Sequence, residues 1–235
     1  MKRHGIICLA ALLAAATSGE AMSFTFSDAT HAAFADFSVV GGNLQITLAN
    51  TFAGNTAGLA DVLTGVFFSG ANGLTPMSAV VPMGSTEWIQ TAGTVLGSAL
   101  SVGGDWQYKS GLTGLPGGGT AGISSAGLGI FGPSGNFGSP SVKLGGAGYG
   151  LVSAGYLGLA QGGLGNLTEP VFEYSAIFTL SGLGAGFDPG NISNVYFQYG
   201  TALAQTSVPD GASTAVLVGL ALAACSMVGR KRARS

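Results

Sequence analysis

The chain has 235 residues, 42 of them glycine, and balances eight Lys and Arg against ten Asp and Glu. Six of the eight basic residues lie at the two ends, so the stretch from Met22 to Pro209 keeps only Lys109 and Lys143 against eight carboxylates, a net charge of −6. That body lacks the cations needed to release counterions from a phosphate backbone, which excludes nucleic acid as a partner. With Cys8 and Cys225 also confined to the ends, it has neither disulfide nor thiolate.

Lys2 and Arg3 precede a short apolar run from Ile6 to Ala16, and small residues follow. This is the pattern of a secretory signal peptide, to be removed by signal peptidase. Cleavage between Ala21 and Met22 is the first choice, with cleavage after Ser18 as the alternative. Residues 1–21 are thus read as leader, 22–206 as one exported domain and 207–235 as a C-terminal signal.

Within the domain, Phe24-Thr25-Phe26 alternates, as do Leu44, Ile46 and Leu48 with Gln45 and Thr47. A period of two predicts strands with one apolar face. Gly41-Gly42-Asn43 predicts a tight turn joining Phe34–Val40 to the following strand as a hairpin. The run Asp61 to Phe68 (DVLTGVFF) is more continuously apolar and predicts a strand buried on both sides. From Gly111 to Gly165 the composition shifts, with 20 glycines in 55 residues and Leu, Ile, Ala, Phe and Tyr among them. Either long loops with turns of positive φ or strands in very close contact would explain it. Further on, Phe172, Tyr174, Ala176, Phe178 and Leu180 predict one strand face, with Pro170 at its start. Gly182 to Gly190 reads as a turn, and Val195–Tyr199 alternates again. Short strands with turn signals and no helical periodicity predict an all-β domain, a β-sandwich or jelly-roll with a glycine-rich centre.

The last segment combines three features. Val208-Pro209-Asp210-Gly211 is followed by an uncharged apolar run from Ala212 to Gly229, then by Arg230, Lys231, Arg232 and Arg234. Those 18 residues would rise about 27 Å as a helix, enough to cross the hydrocarbon core. The basic cluster would stay cytoplasmic, and Pro209 holds the preceding residue extended. A plain single-pass anchor is the simplest physical reading.

Motif, apolar run and basic end together resemble the C-terminal sorting signal (PEP-CTERM-like, Val-Pro-Asp type) of exosortase substrates in Gram-negative-type bacteria. The resemblance implies recognition at Val208 to Gly211, removal of the membrane helix by an exosortase in the inner membrane, and delivery to the cell surface. The segments Asp61–Phe68, Gly122–Gly132 and Ile192–Thr201 also resemble a family of exosortase-dependent surface proteins, which implies location, with extracellular polysaccharide as the surrounding matrix, and no particular activity.

No catalytic or cofactor set stands out. His31 is the one histidine of the body, too few for a His/Cys metal site, and reads as a surface or turn residue. Two Gly-x-Gly-x-x-Gly matches (Gly117–Gly122 and Gly127–Gly132) lack the strand–helix unit that binds phosphate. Glu169 and Glu173, four apart, would share one side of a strand and suit solvated charges better than a hydrolytic pair. Asp28 and Asp188 suit turns better than calcium. The expectation is a non-enzymatic exported protein without metal or cofactor. A carbohydrate-binding or adhesive module using Trp88, Trp106, Tyr108 and Tyr149 is the alternative.

Overall fold

A computed structural model describes residues 21–203, apart from 84, 90–91, 96–99, 133, 139–143, 145, 159–163, 165–166 and 168. The fold is all-β: the described residues form fourteen strands and no helix beyond single 3-10 turns. In chain order the strands are β1 (Met22–Ser27), β2 (Ala32–Val40), β3 (Asn43–Asn50), β4 (Leu63–Ser69), β5 (Thr75–Val81), β6 (Thr86–Ile89) and β7 (Ala92–Val95), continuing with β8 (Leu100–Ser101), β9 (Gln107–Ser110), β10 (Ala121–Ser124), β11 (Leu151–Val152), β12 (Val171–Glu173), β13 (Ser175–Ser181) and β14 (Ser193–Tyr199).

Six strands form the first sheet, in the order β1-β2-β3-β13-β5-β8. Its organising hairpin is the one the glycines predict. Val40 pairs with Asn43, leaving Gly41 and Gly42 as a two-residue loop with φ of 58° and 79°. Positive φ at both positions is what a type I′ turn demands, and that turn matches the twist of the flanking strands. Ala33, Ala35 and Phe37 of β2 and Leu44, Ile46 and Leu48 of β3 are buried, while Asp36, Ser38, Gln45 and Thr47 keep contact with water. The register carries the inner face across the sheet: Phe37 lies opposite Ile46, Ile46 opposite Phe178, and Phe178 opposite Ala79.

The second sheet is built on β4. β10 pairs with it over Gly65–Phe68 and β14 over Leu63–Ser69; because Gly65 is opposed by both Ser124 and Gln198, these two strands occupy its two edges. β9 extends beyond β10, and β11, β12, β6 and β7 follow from the start of β4. As the continuous apolar run predicts, Leu63 to Phe68 are all buried.

One face of β4 meets the first sheet. Val66, Phe68, Ile123, Phe172 and Phe197 share a core with Phe24, Phe37, Ile46 and Phe178, and the Phe37 and Phe68 rings meet edge to face at 5.1 Å. Trp106, fully buried, packs its ring 4.9 Å from that of Phe178 and donates Nε1–H to the Tyr149 carbonyl at 3.1 Å. The other face is covered by the glycine-rich segment. There Phe67 stacks on Tyr196 at 4.7 Å beneath Leu112, Leu115, Leu128, Ile130 and Phe131. Nearer β11, Val62, Val152 and Val171 are covered by Ala147, Tyr156 and Leu164. Both explanations of the glycines therefore hold, in different places. At Gly122 in β10 a Cβ would overlap the Phe67 ring, so only glycine lets this strand lie flat under its neighbour's aromatic side chain.

Two strand expectations need correction. The face Phe172, Tyr174, Ala176, Phe178, Leu180 is not one strand. Tyr174 has φ of 78° and is 45 % exposed, and there the chain leaves β12 in the second sheet to become β13 in the first. Backbone bonds fix the crossing, Tyr174 N–H to the Val152 carbonyl at 3.0 Å and Asn50 N–H to the Tyr174 carbonyl at 2.8 Å. Val195 to Tyr199 do not alternate between core and water either; all five are buried, because β14 too is covered on both faces.

Candidate functional site

The densest group of polar side chains lies where β1 turns into β2. The Asp28 carboxylate accepts from the backbone N–H of Thr30 at 2.8 Å and of His31 at 2.7 Å, closing an Asx-type turn. Those bonds, the Thr30 one first and those of His31 after it, hold the Asp28 carboxyl below its ordinary range although burial opposes them. His31 Nδ1 lies 3.3 Å from Asp28 and 3.0 Å from the Thr30 hydroxyl. On the far side of the ring, Nε2 is 3.3 Å from Asp61 Oδ1, an ion-pair distance without hydrogen-bond alignment.

Asp61 closes the 3-10 turn Leu59–Asp61, and its other oxygen accepts from Ala57 N–H at 3.2 Å. The imidazole also lies against the Tyr199 ring, centroids 4.4 Å apart, at the end of β14. Burial, then the Asp28 and Asp61 charges, push the Tyr199 hydroxyl well above the usual tyrosine range. Beside this cluster opens a cavity of about 500 Å³ lined by Asp28, His31, Leu59, Ala60, Tyr199 and Thr201 among others. His31 thus ties three elements, the β1–β2 turn, the 3-10 turn and the end of β14. The sequence places Asp28 in a turn and reads His31 as a surface or turn residue; both belong to the β1–β2 turn, and the His31 side chain is 22 % exposed. Asp28-x-x-His31 could have hinted at the turn, whereas Asp61 is brought in only by the fold.

Chemically the cluster is an imidazole between two carboxylates. Among the described residues no group of three His, Cys, Asp or Glu converges on a metal position. Glu169 and Glu173 are not on one strand face. Glu169 precedes β12 and packs its Cβ where a side chain on Gly148 would go, while Glu173 accepts from Trp88 Nε1 at 3.3 Å. Asp188 caps its own turn, accepting from Gly190 N–H at 2.7 Å. Neither glycine motif enters a strand–helix unit; Gly117–Gly122 runs through a 3-10 turn into β10, and Gly127–Gly132 is a turn.

Of the four aromatic residues suggested for sugar stacking, Trp106 and Tyr108 are core residues. Trp88 is half-buried, with Tyr156 edge-on at 5.4 Å and Gly158 close against its six-membered ring. Tyr149 is half-buried on the margin of the core.

Ala21 is exposed immediately before β1, and Met22 opens that strand. The motif Val208, Pro209, Asp210 and Gly211, the apolar run after it and the basic residues Arg230, Lys231, Arg232 and Arg234 lie outside the described residues, as do residues 1–20 of the leader. No helix among the described residues is long and apolar enough to cross a membrane. No family model matches the chain, and neither a curated protein nor a solved structure matches it.

Proposed function

We infer that this is an exported cell-surface or extracellular-matrix protein. Signal peptidase removes its leader after Ala21, the run Ala212–Gly229 holds it in the inner membrane, and an exosortase cuts at Val208 to Gly211. The observation that carries the reading is the order of motif, uncharged run and Arg-rich end over residues 208–234. Such a run needs its backbone paired within a helix in lipid, and an extended Pro-containing peptide ahead of it offers a processing enzyme an unpaired strand to hold. The resemblance to exosortase substrates supplies the enzyme class and the extracellular polysaccharide setting.

The delivered body is a β-sandwich of the two sheets, with the glycine-rich segment as an outer cover on one of them. Two features support delivery as a finished unit. β1 starts at Met22, so cleavage there leaves every strand of the described residues intact, and β14 ends at Tyr199, upstream of the motif. Its role is structural rather than catalytic, in keeping with a polar cluster that links three elements of the fold.

The test is the intact mass of the protein recovered from the surface fraction of its native host. A species starting at Met22 and ending within Val208–Gly211 is expected. A species still ending at Ser235 would sink the exosortase step and leave a plain membrane anchor.

A further inference from the structure

The sheet ends differ in how they are protected. A strand edge exposes unpaired N–H and C=O groups, and soluble proteins blunt such edges with short strands, lysine, proline or covering loops. β8 has two residues and β7 four. β9 carries the exposed Lys109 and is overlaid by the stretch 134–136: Tyr108 N–H donates to the Gly135 carbonyl at 2.8 Å, and Gln107 bridges to Asn136. Among the described residues β1 has none of these devices, and β14, which pairs only with β4 there, differs from it in burying both faces. β1 is six residues long, Met-Ser-Phe-Thr-Phe-Ser, without charge, proline or glycine, and among the described residues it pairs only with β2.

Its free edge is also self-complementary. Asp28 N–H donates to the His31 carbonyl, and Thr51 N–H takes the Ala32 carbonyl toward β3. In an antiparallel ladder the bonding side alternates, so Met22, Phe24 and Phe26 bond to β2 while Ser23, Thr25 and Ser27 direct their N–H and C=O groups outward. Side chains follow the same parity: Phe24 is buried, Met22 and Phe26 lie partly buried on the core, and Ser23 and Thr25 face water. A second β1 laid antiparallel about a two-fold axis at Phe24 sets Ser23 opposite Thr25 as hydrogen-bonded pairs. It sets Phe24 opposite Phe24 and Met22 opposite Phe26 on the apolar side, so bonding edge and side-chain face agree at every position, and a one-residue slip would break both matches. β1 itself carries no charge, and the nearest carboxylate on its water face, Asp36 of β2, accepts from the Ser23 hydroxyl at 2.6 Å.

We propose that two copies of this chain pair through β1, joining their first sheets into one continuous twelve-stranded sheet. The proposal rests on removal of the leader at Ala21, which makes Met22 the first residue of the edge.

Sedimentation equilibrium on the protein isolated from its host, with intact mass measured on the same sample, tests it. A species starting at Met22 with twice the monomer mass is expected. Thr25→Pro deletes an N–H that faces away from β2 and should return the monomer mass. Ser23→Lys/Thr25→Lys, which sets lysine against lysine across the two-fold and replaces two exposed side chains, one of them the Ser23 hydroxyl that donates to Asp36, should do the same with an unaltered β-sheet circular dichroism spectrum. A monomer starting at Met22, or a dimer that survives both variants, overturns the pairing while leaving export intact. A monomer that retains its leader overturns both.

Discussion

The two sheets solve the same problem with opposite compositions. In the first, β2 and β3 bury every second residue and leave Asp36, Ser38, Gln45 and Thr47 at the water, so the code is a plain alternation. In the second, β4 and β14 bury both faces, and the outer cover is loop rather than sheet or helix. A loop cover must approach closely and turn often, which is why glycine gathers between residues 111 and 165. Apolar residues interspersed there (Leu112, Leu115, Ile130, Phe131) are the inner surface of that cover.

The sharpest way to break this comparison is to attack what the sheets share. Phe37→Ala opens a cavity against Phe24 and Phe68 in the common core and should cost about 4 kcal/mol, read as a lower denaturant midpoint. If β4 is closed on both faces, Gly122→Ala is the next most damaging change. Its new methyl would meet a Phe67 ring already held by Tyr196, and a loss of about 2 kcal/mol is expected. An unchanged midpoint would mean that the outer cover is loose. On the wet face of the first sheet, Thr47→Ala should move stability by no more than about 0.5 kcal/mol. A larger loss would mean that this face too is covered.

The smallest effect concerns the turn that precedes the hairpin. Asp28 is held ionised more strongly in the folded chain than unfolded, so its contribution is present above the unfolded carboxylate range and is lost as pH falls through the lower folded value. The difference in thermal midpoint between the wild-type protein and Asp28→Asn should therefore be greatest near neutral pH and shrink under acid conditions. A difference that does not change with pH would mean that the turn bonds do not depend on the charge.

Much of the fold was legible in local pattern. The Gly41-Gly42 hairpin, the alternation of β3 and the double burial of β4 follow from period and turn chemistry acting over a few residues. The break at Tyr174 was not legible. Phe172, Ala176, Phe178 and Leu180 keep the parity of one strand through the crossing, and nothing in that period says that two sheets divide it. The site was less legible than the fold. Asp28 could be assigned to a turn, but His31 acquires its meaning from Asp61 and Tyr199, which are remote in sequence and belong to other elements.

The sequence by itself determined the all-β class, the absence of thiol and disulfide chemistry from the body, and the terminal patterns on which the export proposal stands. Those are properties of composition and of short-range order, which act without knowing where distant residues lie. Tertiary structure alone decided which strands meet, that the glycine-rich segment serves as a cover, and that an imidazole sits between two carboxylates at the end of β14. These depend on long-range pairing and on atoms excluding one another in a shared volume, as at Gly122 beneath Phe67. No local pattern encodes such a contact.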